Sequence, residues 1–371
     1  MTALTFIALE VHRRGGQERA AAEVLTRLAP DLALTVVSNV CELPGVPHAH
    51  HAIRLPDAPT IVRTTLFARA AMEAAAQHGP ALVQSIGAAA READVITAQF
   101  CQAAFTQRFG GLRGGGALRG LWQRAVQARF VHDERHAYGA ARLRRVIAVS
   151  RGVGRELEEF YGVPASRISV IPNGVDHGTF HPVDDAARRA LRAALGLPVD
   201  ACIALFVGGD WERKGVRDAI GAVAGLRDVR FVVVGRGDEA AMRTHAAAVG
   251  ATGQVQFAGP SPTPERWYQA ADLLLFPSRY EAFSLVTLEA AGCGLPIVCH
   301  AINGTEDLIV HGENGFLSAL GPEALRTHVT QLRDESALRA RMRAAIARTS
   351  ARYAWDRIAA ETLAVLREVA S

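Results

Sequence analysis

The apolar and polar positions of the chain repeat one theme: a short apolar run, a turn, then a stretch with helical spacing. In the first half the runs fall at 4–11, 32–38, 82–86, 95–100 and 146–150. A second series follows at 202–207, 229–234, 255–257, 273–276 and 297–299. Such short continuous runs suit strands buried on both faces of a parallel sheet. Their alternation with helical segments predicts βαβ units. Two series predict two doubly wound, Rossmann-like α/β domains, whose ligands sit at the carboxyl ends of the strands. The segment 177–200, polar and rich in Pro and Ala, reads as the connection, and 172–174 as a turn before it. From 322 onward the spacing is helical, and Trp355-Asp356 opens a last helix to Val369. The expected domains are therefore 1–176 and 177–352, with a terminal helix, 353–371, crossing back to the first.

The stretch 276–294, FPSRYEAFSLVTLEAAGCG, is the most informative. A buried strand ends at Phe276, the chain breaks at 277–280, and a helix over 283–291 follows with Ser284 placed to cap it. The first backbone N–H groups, at Ser284, Leu285 and Val286, have no partner within the helix and can hold an anion. Glu281 and Glu289 lie eight positions apart, roughly 12 Å along a helix. That span suits two hydroxylated rings joined by a diphosphate, one carboxylate to each ring. The same stretch also reads as an amphipathic helix with two solvated glutamates.

Composition narrows the class. A chain of 371 residues, 49% hydrophobic and 21% charged, has material for two ordinary cores. No apolar run approaches the roughly 18 residues that cross a bilayer. The run at 4–11 lacks a basic lead and reads as a first strand rather than a signal peptide. The expected location is cytoplasmic. The five cysteines are scattered, never in a C-x-x-C pair, and read as free thiols. His48, His50 and His51 cluster in a Pro-containing loop without nearby cysteine or carboxylate partners, so no metal site is expected there.

The formal charge of +4 conceals a skew: of 41 basic residues, 40 are arginine and Lys214 is the single lysine. The arginines do not interleave with aromatics, so no nucleic-acid partner is expected. Between 110 and 145 the glycines at 110–111 and 114–116 suggest a mobile loop. The helix after it carries Leu118, Leu121, Trp122, Val126 and Phe130 among Arg119, Arg124, Arg129 and Arg135. It reads either as a core-packed helix with a solvated arginine face or as a peripheral contact with anionic membrane or acceptor.

Three loops at strand ends carry candidate chemistry. The first is Gly15-Gly16 in RRGGQER, between strand and helix, a ligand-approach turn or a plain tight turn. The second is VGGDWERKG at 207–215, which puts Arg213 and Lys214 at a strand's carboxyl end, where a compact ammonium could meet a phosphate. The third is Asn303-Gly304-Thr305-Glu306, with further N–H groups and a carboxylate. Two cations, two amino ends and several carboxylates together are what a nucleoside-diphosphate sugar requires.

These pieces resemble a known family. GGQER, AVSRGVGRELEEFYGVPASRISVIPNGVD, FVGGDWERKG, VVVGRGDE, PSRYEAFSLVTLEAAGCGLPIV and NGTEDLIVHGENGFL run in that order over 15–317. The chain is similar to the retaining glycosyltransferases of family 4, on the GT-B fold, and within them to enzymes that extend lipopolysaccharide cores. The resemblance implies two Rossmann-like domains facing each other across a cleft, a nucleotide-sugar donor (UDP-linked) and a cell-envelope glycan or glycolipid acceptor. It implies that Arg213 and Lys214 neutralise the donor diphosphate, that Glu281 faces the sugar hydroxyls, and that Glu289 holds the ribose hydroxyls. Gly15 and Gly16 would let the first loop approach the substrates; Asn303, Gly304 and Glu306 would line the donor pocket. No cofactor is implied: no D-x-D motif is present to place a metal, and the acceptor proton is thought to pass to the departing phosphate. The chain departs from the family pattern at Ala282-Phe283-Ser284, where many members read G-F-G, and at Gly209, where many carry arginine. It also has no histidine at 97–100. A nucleotide-sugar epimerase on the same fold, and a non-catalytic protein binding a nucleotide sugar or anionic lipid, are the alternative readings.

Overall fold

The computed structural model describes residues 2–77, 81–109 and 117–371, the side chains of 117–119 and 121 excepted. The glycines at 110–111 and 114–116 and the side chains of Leu118, Arg119 and Leu121 lie outside the described residues. The chain divides into two compact units: Met1–Asn173 with Trp355–Ser371, and Gly174–Ala354.

The first unit is built on a seven-stranded sheet. Its spatial order is Ala49–Ala52, Leu32–Ser38, Thr2–Ile7, Leu82–Ile86, Val95–Ala98, Arg145–Ala148 and Ile168–Val170, and every pairing is parallel. The run expected at 4–11 is broken: Glu10–Val11 leaves the sheet and pairs with Val40–Cys41. Ala49–Ala52 gives no periodic signal because it is an edge strand, largely exposed. It takes up His50 and His51, so the histidines do not form a loop cluster. His50 Nε2 lies 3.0 Å from Ser38 Oγ, and His48 Nδ1 lies 2.8 Å from the Val46 carbonyl oxygen. The expectation of no cysteine partner is corrected for His48, whose Nε2 lies 3.4 Å from Cys41 Sγ because the two-residue strand Val40–Cys41 runs beside its loop. Among the described residues no group of three or more His, Cys, Asp or Glu side chains is placed to hold a metal ion.

The final helix, Trp355–Ala370, packs on the helix Gln17–Leu28. Trp355, Ile358, Thr362, Leu366 and Val369 face inward. Arg27 and Arg367 tie the two ends of the contact to Asp356 and to Asp31. The helix Ala117–Tyr138 is seated through its last turns: Glu134, Ala137 and Tyr138 are buried, whereas Trp122 is 53% exposed.

Like Glu156, Glu134 is a buried carboxyl of this unit. Its Oε2 accepts hydrogen bonds from the Tyr161 hydroxyl and from Gln102 N–H. Burial nevertheless pushes its carboxyl up to about 7, with Glu156 adding to the shift. The unfolded chain ionises this group near 4.5, so between the two values the folded state holds the extra proton. Stability is therefore fully present below pH 4.5 and is lost as pH rises through 7, by about 3 kcal/mol. Glu134→Gln should abolish that slope. Melting curves from pH 5 to 8 check it: the variant's advantage must grow with pH, and a constant gap contradicts the reading.

The second unit holds a six-stranded parallel sheet in the order Val255–Gly259, Val229–Val234, Cys202–Val207, Leu273–Phe276, Ile297–His300 and Gly315–Ser318. Cys202–Val207 comes first in sequence but sits inside the sheet. The chain winds outward from it to Val255–Gly259, then returns to Leu273–Phe276 and winds outward the other way. The loops after Val207 and after Phe276 thus part at the reversal of strand order, the place where doubly wound sheets open a ligand crevice. The segment 177–200 is not mere connection. Asp184 accepts from Ala187 N–H at 2.8 Å and caps a helix, Asp185–Ala194. Its buried Arg192 is held by Asp272 at 2.6 Å. No helix of the described residues is long and apolar enough to cross a membrane.

Candidate functional site

The site grows from those two loops. After Val207 the chain turns through 208–215 before the helix Val216–Val223 begins. Trp211 is buried under this loop. It stacks on Phe257 at 5.4 Å between ring centroids and donates from Nε1 to the Gly208 carbonyl at 2.9 Å. Asp210 takes a left-handed conformation, φ +49°, tolerable for a short polar side chain. Its carboxylate receives Arg213 Nε at 2.7 Å.

After Phe276, the loop 277–284 lies directly against the first. Arg279 N–H donates to the Arg213 carbonyl at 3.1 Å. Gly215 shows how close the two backbones come. Its φ is +74°, and a Cβ there would lie 2.1 Å from the Pro277 carbonyl oxygen. Gly215→Ala combines that clash with left-handed strain of about 1–2 kcal/mol. It should cut donor-dependent turnover about tenfold. Initial rates against donor concentration check this, and a normal rate would show that the contact between the loops is not needed.

The docking of the loops gathers three charges. Glu281 Oε1 lies 3.2 Å from Arg213 Nη1 and 3.3 Å from Lys214 Nζ, and accepts from the Ser278 hydroxyl at 2.9 Å. Lys214 is 13% exposed at its side chain. It runs against Gly208 and holds its ammonium 4.9 Å above the centre of the Phe276 ring. Burial works against the charge of Arg213, but Glu281 and Asp210 outweigh it and raise its pKa above the ordinary arginine value. Glu281 thus serves both largely buried cations, and Asp210 holds Arg213 as well. A phosphate binding here would have to draw the cations from carboxylates that they already hold.

The other expected residues fall in two groups. The helix after the second loop starts at Leu285, not 283, and runs to Gly292. Ser284 occupies the position before its first turn, but its side chain makes no capping hydrogen bond. The N–H groups of Leu285 and Val286 open this helix. A Cβ on Gly304 would lie 2.8 Å from Phe283 Cα, so the 303–306 loop is packed against the same helix start. Asn303 is buried with Nδ2 unpartnered among the described residues, whereas Glu306 is exposed. Glu289 is only 5% exposed and accepts from the buried Tyr268 hydroxyl at 2.8 Å. The reading of this stretch as an amphipathic helix with two solvated glutamates is thereby corrected, because the helix is buried nearly all round. Gly15 and Gly16 belong to the first unit, where they open the helix Gln17–Leu28, Gly15 at φ +82°. Ser278, Asp210 and Tyr268 were not singled out from the sequence. Their signal is spacing alone: Ser278 and Asp210 each lie three residues before the charge they meet.

The sequence matches the family description "Glycosyltransferase Family 4" over residues 14–179 and "Glycosyl transferases group 1" over residues 187–349. The curated D-inositol 3-phosphate glycosyltransferase of Xylanimonas cellulosilytica is 36% identical over 232 residues, 59% of this chain and 56% of that protein. Its counterpart from Acidothermus cellulolyticus is 35% identical over 232 residues, 58% of this chain and 51% of that protein. The chain spans about half the length of these curated relatives. Among solved structures, WaaG, a glycosyltransferase involved in lipopolysaccharide biosynthesis, matches with a TM-score of 0.81 at 20% identity, over 98% of this chain and 99% of WaaG. Sucrose-phosphate synthase from Thermosynechococcus elongatus matches at 0.80 and 20% identity over 100% of both chains. Anabaena Alr3699/HepE in complex with UDP and glucose matches at 0.75 and 18% identity, over 99% of this chain and 100% of that one. These structures share the fold; the family matches, end to end, take in most of the chain. The chain belongs to the family 4 glycosyltransferases and has the GT-B fold.

Proposed function

We propose that the chain moves a hexosyl group, with retention of configuration, from a UDP-linked sugar to a hydroxyl of a cell-envelope glycan or glycolipid. The observation that carries this reading is the convergence of Arg213 and Lys214 on one oxygen of Glu281 at the switch point of the second sheet. As the glycosidic bond breaks, negative charge grows on the diphosphate and positive charge on the anomeric carbon. Cations already in place at the leaving group stabilise that charge without reorganising, and Glu281 is positioned for the sugar side. Arg213 and Lys214 do the work a divalent cation would otherwise do. The UDP in the HepE structures supports the choice of base, and the part played by WaaG in lipopolysaccharide biosynthesis supports an envelope acceptor. The curated relatives are named for D-inositol 3-phosphate, an acceptor that would bring its own phosphate. Thermal shift against UDP, GDP, ADP and TDP, followed by turnover of the matching sugar nucleotides in EDTA, tests the reading. UDP should stabilise most and EDTA should leave the rate unchanged; no stabilisation by any nucleotide would refute it.

The peripheral-membrane reading belongs here too. Trp122, Arg124 and Arg135 are all exposed on the same helix. Flotation with anionic vesicles should recover the protein at low salt and lose it as salt shortens the field. Protein left in solution at low salt would rule out lipid contact.

A further inference from the structure

The second unit carries a cluster of arginines at the end of its sheet away from Lys214. It forms where the helices Asp185–Ala194 and Ser336–Ser350 border the residues that precede Leu273–Phe276. Asp272 stands at its centre, with a side chain only 5% exposed. Its Oδ1 lies 3.1 Å from Arg188 Nη1 and 4.0 Å from Arg339 Nε. Its Oδ2 lies 2.6 Å from Arg192 Nη2 and accepts from Ile203 N–H at 2.8 Å. One carboxylate is thus shared among three guanidinium groups. Arg188 has a second partner in Asp185, at 2.8 Å. Arg192 directs its remaining donors to the carbonyls of Ala270, Val199 and Ala201.

Arg343 is the fourth member and the least well provided with counter-charge. Its Nη1 donates to the Ala271 carbonyl at 3.3 Å, and it forms no ion pair among the described residues. Burial, with Arg188 close by, holds its pKa below the ordinary arginine value; Arg339 adds to this and Asp272 offsets only part of it. Arg339 is little better placed. Beyond its 4.0 Å approach to Asp272, its Nη1 meets the carbonyls of Leu332 and Arg333. The helix that bears both, Ser336–Ser350, has four arginines and no acidic residue.

A groove of about 500 Å³ is lined by Arg188, Arg339 and Arg343, over a floor of small residues that includes Gly294, Ala340 and Ala344. Asp185 is the single acidic residue among its described lining, and Arg188 already holds it. The acidic residues of the neighbouring hollow, Asp200, Asp228 and Asp334, do not line the groove. Arg339 and Arg343 lie one helical turn apart, roughly 5–6 Å between Cβ atoms. At that spacing each guanidinium can meet one phosphoryl group of a diphosphate. An anion there takes Arg343 from no carboxylate and relieves a repulsion that the folded chain otherwise bears. No aromatic side chain is among the described lining, so a nucleotide base gains nothing in this groove and UDP prefers the donor site.

We propose that this groove binds a diphosphate group, held by Arg339 and Arg343 and flanked by Arg188, at a site separate from the donor loops and at the opposite end of the same sheet. The diphosphate is either free in solution or carried on a lipid.

Calorimetric titration of pyrophosphate into the full chain tests it, with the Arg213→Gln, Lys214→Gln double variant as background so that the donor loops do not contribute. Pyrophosphate should still bind. Adding Arg343→Gln or, separately, Arg339→Gln should weaken it at least about tenfold. Arg341→Gln removes an exposed arginine of the same helix that does not line the groove, and should leave binding in place. Arg343→Gln breaks no ion pair, so its melting midpoint should not fall, and pyrophosphate should raise the midpoint only where Arg343 is present. Flotation with phosphatidylcholine vesicles carrying diacylglycerol pyrophosphate separates the two sources. Binding in solution assigns a free ligand. Vesicle recovery that needs Arg343, without binding in solution, assigns a lipid-borne one. Failure of both overturns the proposal. So does pyrophosphate binding that Arg343→Gln leaves unmoved or that Arg341→Gln weakens equally. The donor reading is decided separately, by UDP on the native chain.

Discussion

Replacing Lys214 by arginine should be nearly as damaging to turnover as replacing it by alanine, with a loss on the order of 100- to 1000-fold. In a chain with 40 arginines and a single lysine, an indifferent positive charge is arginine. The structure supplies the reason this one is not. The Lys214 side chain passes against Gly208, with Nζ 3.3 Å from where a Cβ on that glycine would stand, and its ammonium lies 4.9 Å above the Phe276 ring and 3.3 Å from Glu281 Oε1. A compact ammonium fits that slot. A planar guanidinium, longer and forked, must either push on the Gly208 backbone or swing away from the diphosphate. Folding should be spared, since the strands beneath are packed without it. Initial rates with the native donor and a melting curve for each variant decide the matter. A Lys214→Arg enzyme with near-normal rate would make the lone lysine an accident of composition.

The two glutamates should part company. Glu289→Ala should weaken UDP binding by about 1.5–3 kcal/mol, roughly 10- to 150-fold, because a charge-assisted hydrogen bond to the ribose is lost. Glu281→Ala should leave UDP affinity nearly unchanged, since it frees Lys214 but leaves Arg213 held by Asp210, yet turnover of the sugar nucleotide should fall. Tyr268→Phe separates orientation from contact. It removes the hydroxyl that steers Glu289 but keeps the carboxylate, so its loss should be smaller than that of Glu289→Ala. Calorimetric titration of the three variants with UDP tests the division. Equal losses for Glu281→Ala and Glu289→Ala would end it.

Much of this was legible from residues alone, for physical reasons that differ by element. Central parallel strands such as Leu273–Phe276 are buried on both faces, so their apolar runs stand out whatever surrounds them. The charged loops follow from them, because a strand's end places the next few residues. What escaped was whatever the sheet does not bury. Ala49–Ala52 is an exposed edge and reads as loop, and Asp185–Ala194 sits in a polar stretch whose helix depends on a cap at Asp184 rather than on an apolar stripe. The site failed to show itself where burial overrides chemistry. Glu289 carries a charge, which sequence alone assigns equally to solvent, and only the packing of Tyr268 reveals that it is held inside. Likewise Ser278 and Asp210 are ordinary loop residues until each loop folds back and turns them onto Glu281 and Arg213, three positions on in the same loop.

If Arg213 and Lys214 form the diphosphate site of the donor, as proposed, UDP and uridine should bind very differently. The nucleoside shares base and ribose with the nucleotide and lacks only the phosphates. Calorimetric titration of the native chain and of the Arg213→Gln, Lys214→Gln double variant with both ligands isolates that difference. The native chain should bind UDP at least about 100-fold more tightly than uridine, the double variant should lose most of this advantage, and uridine should bind both alike. A double variant that still prefers UDP by the native margin would place the diphosphate elsewhere.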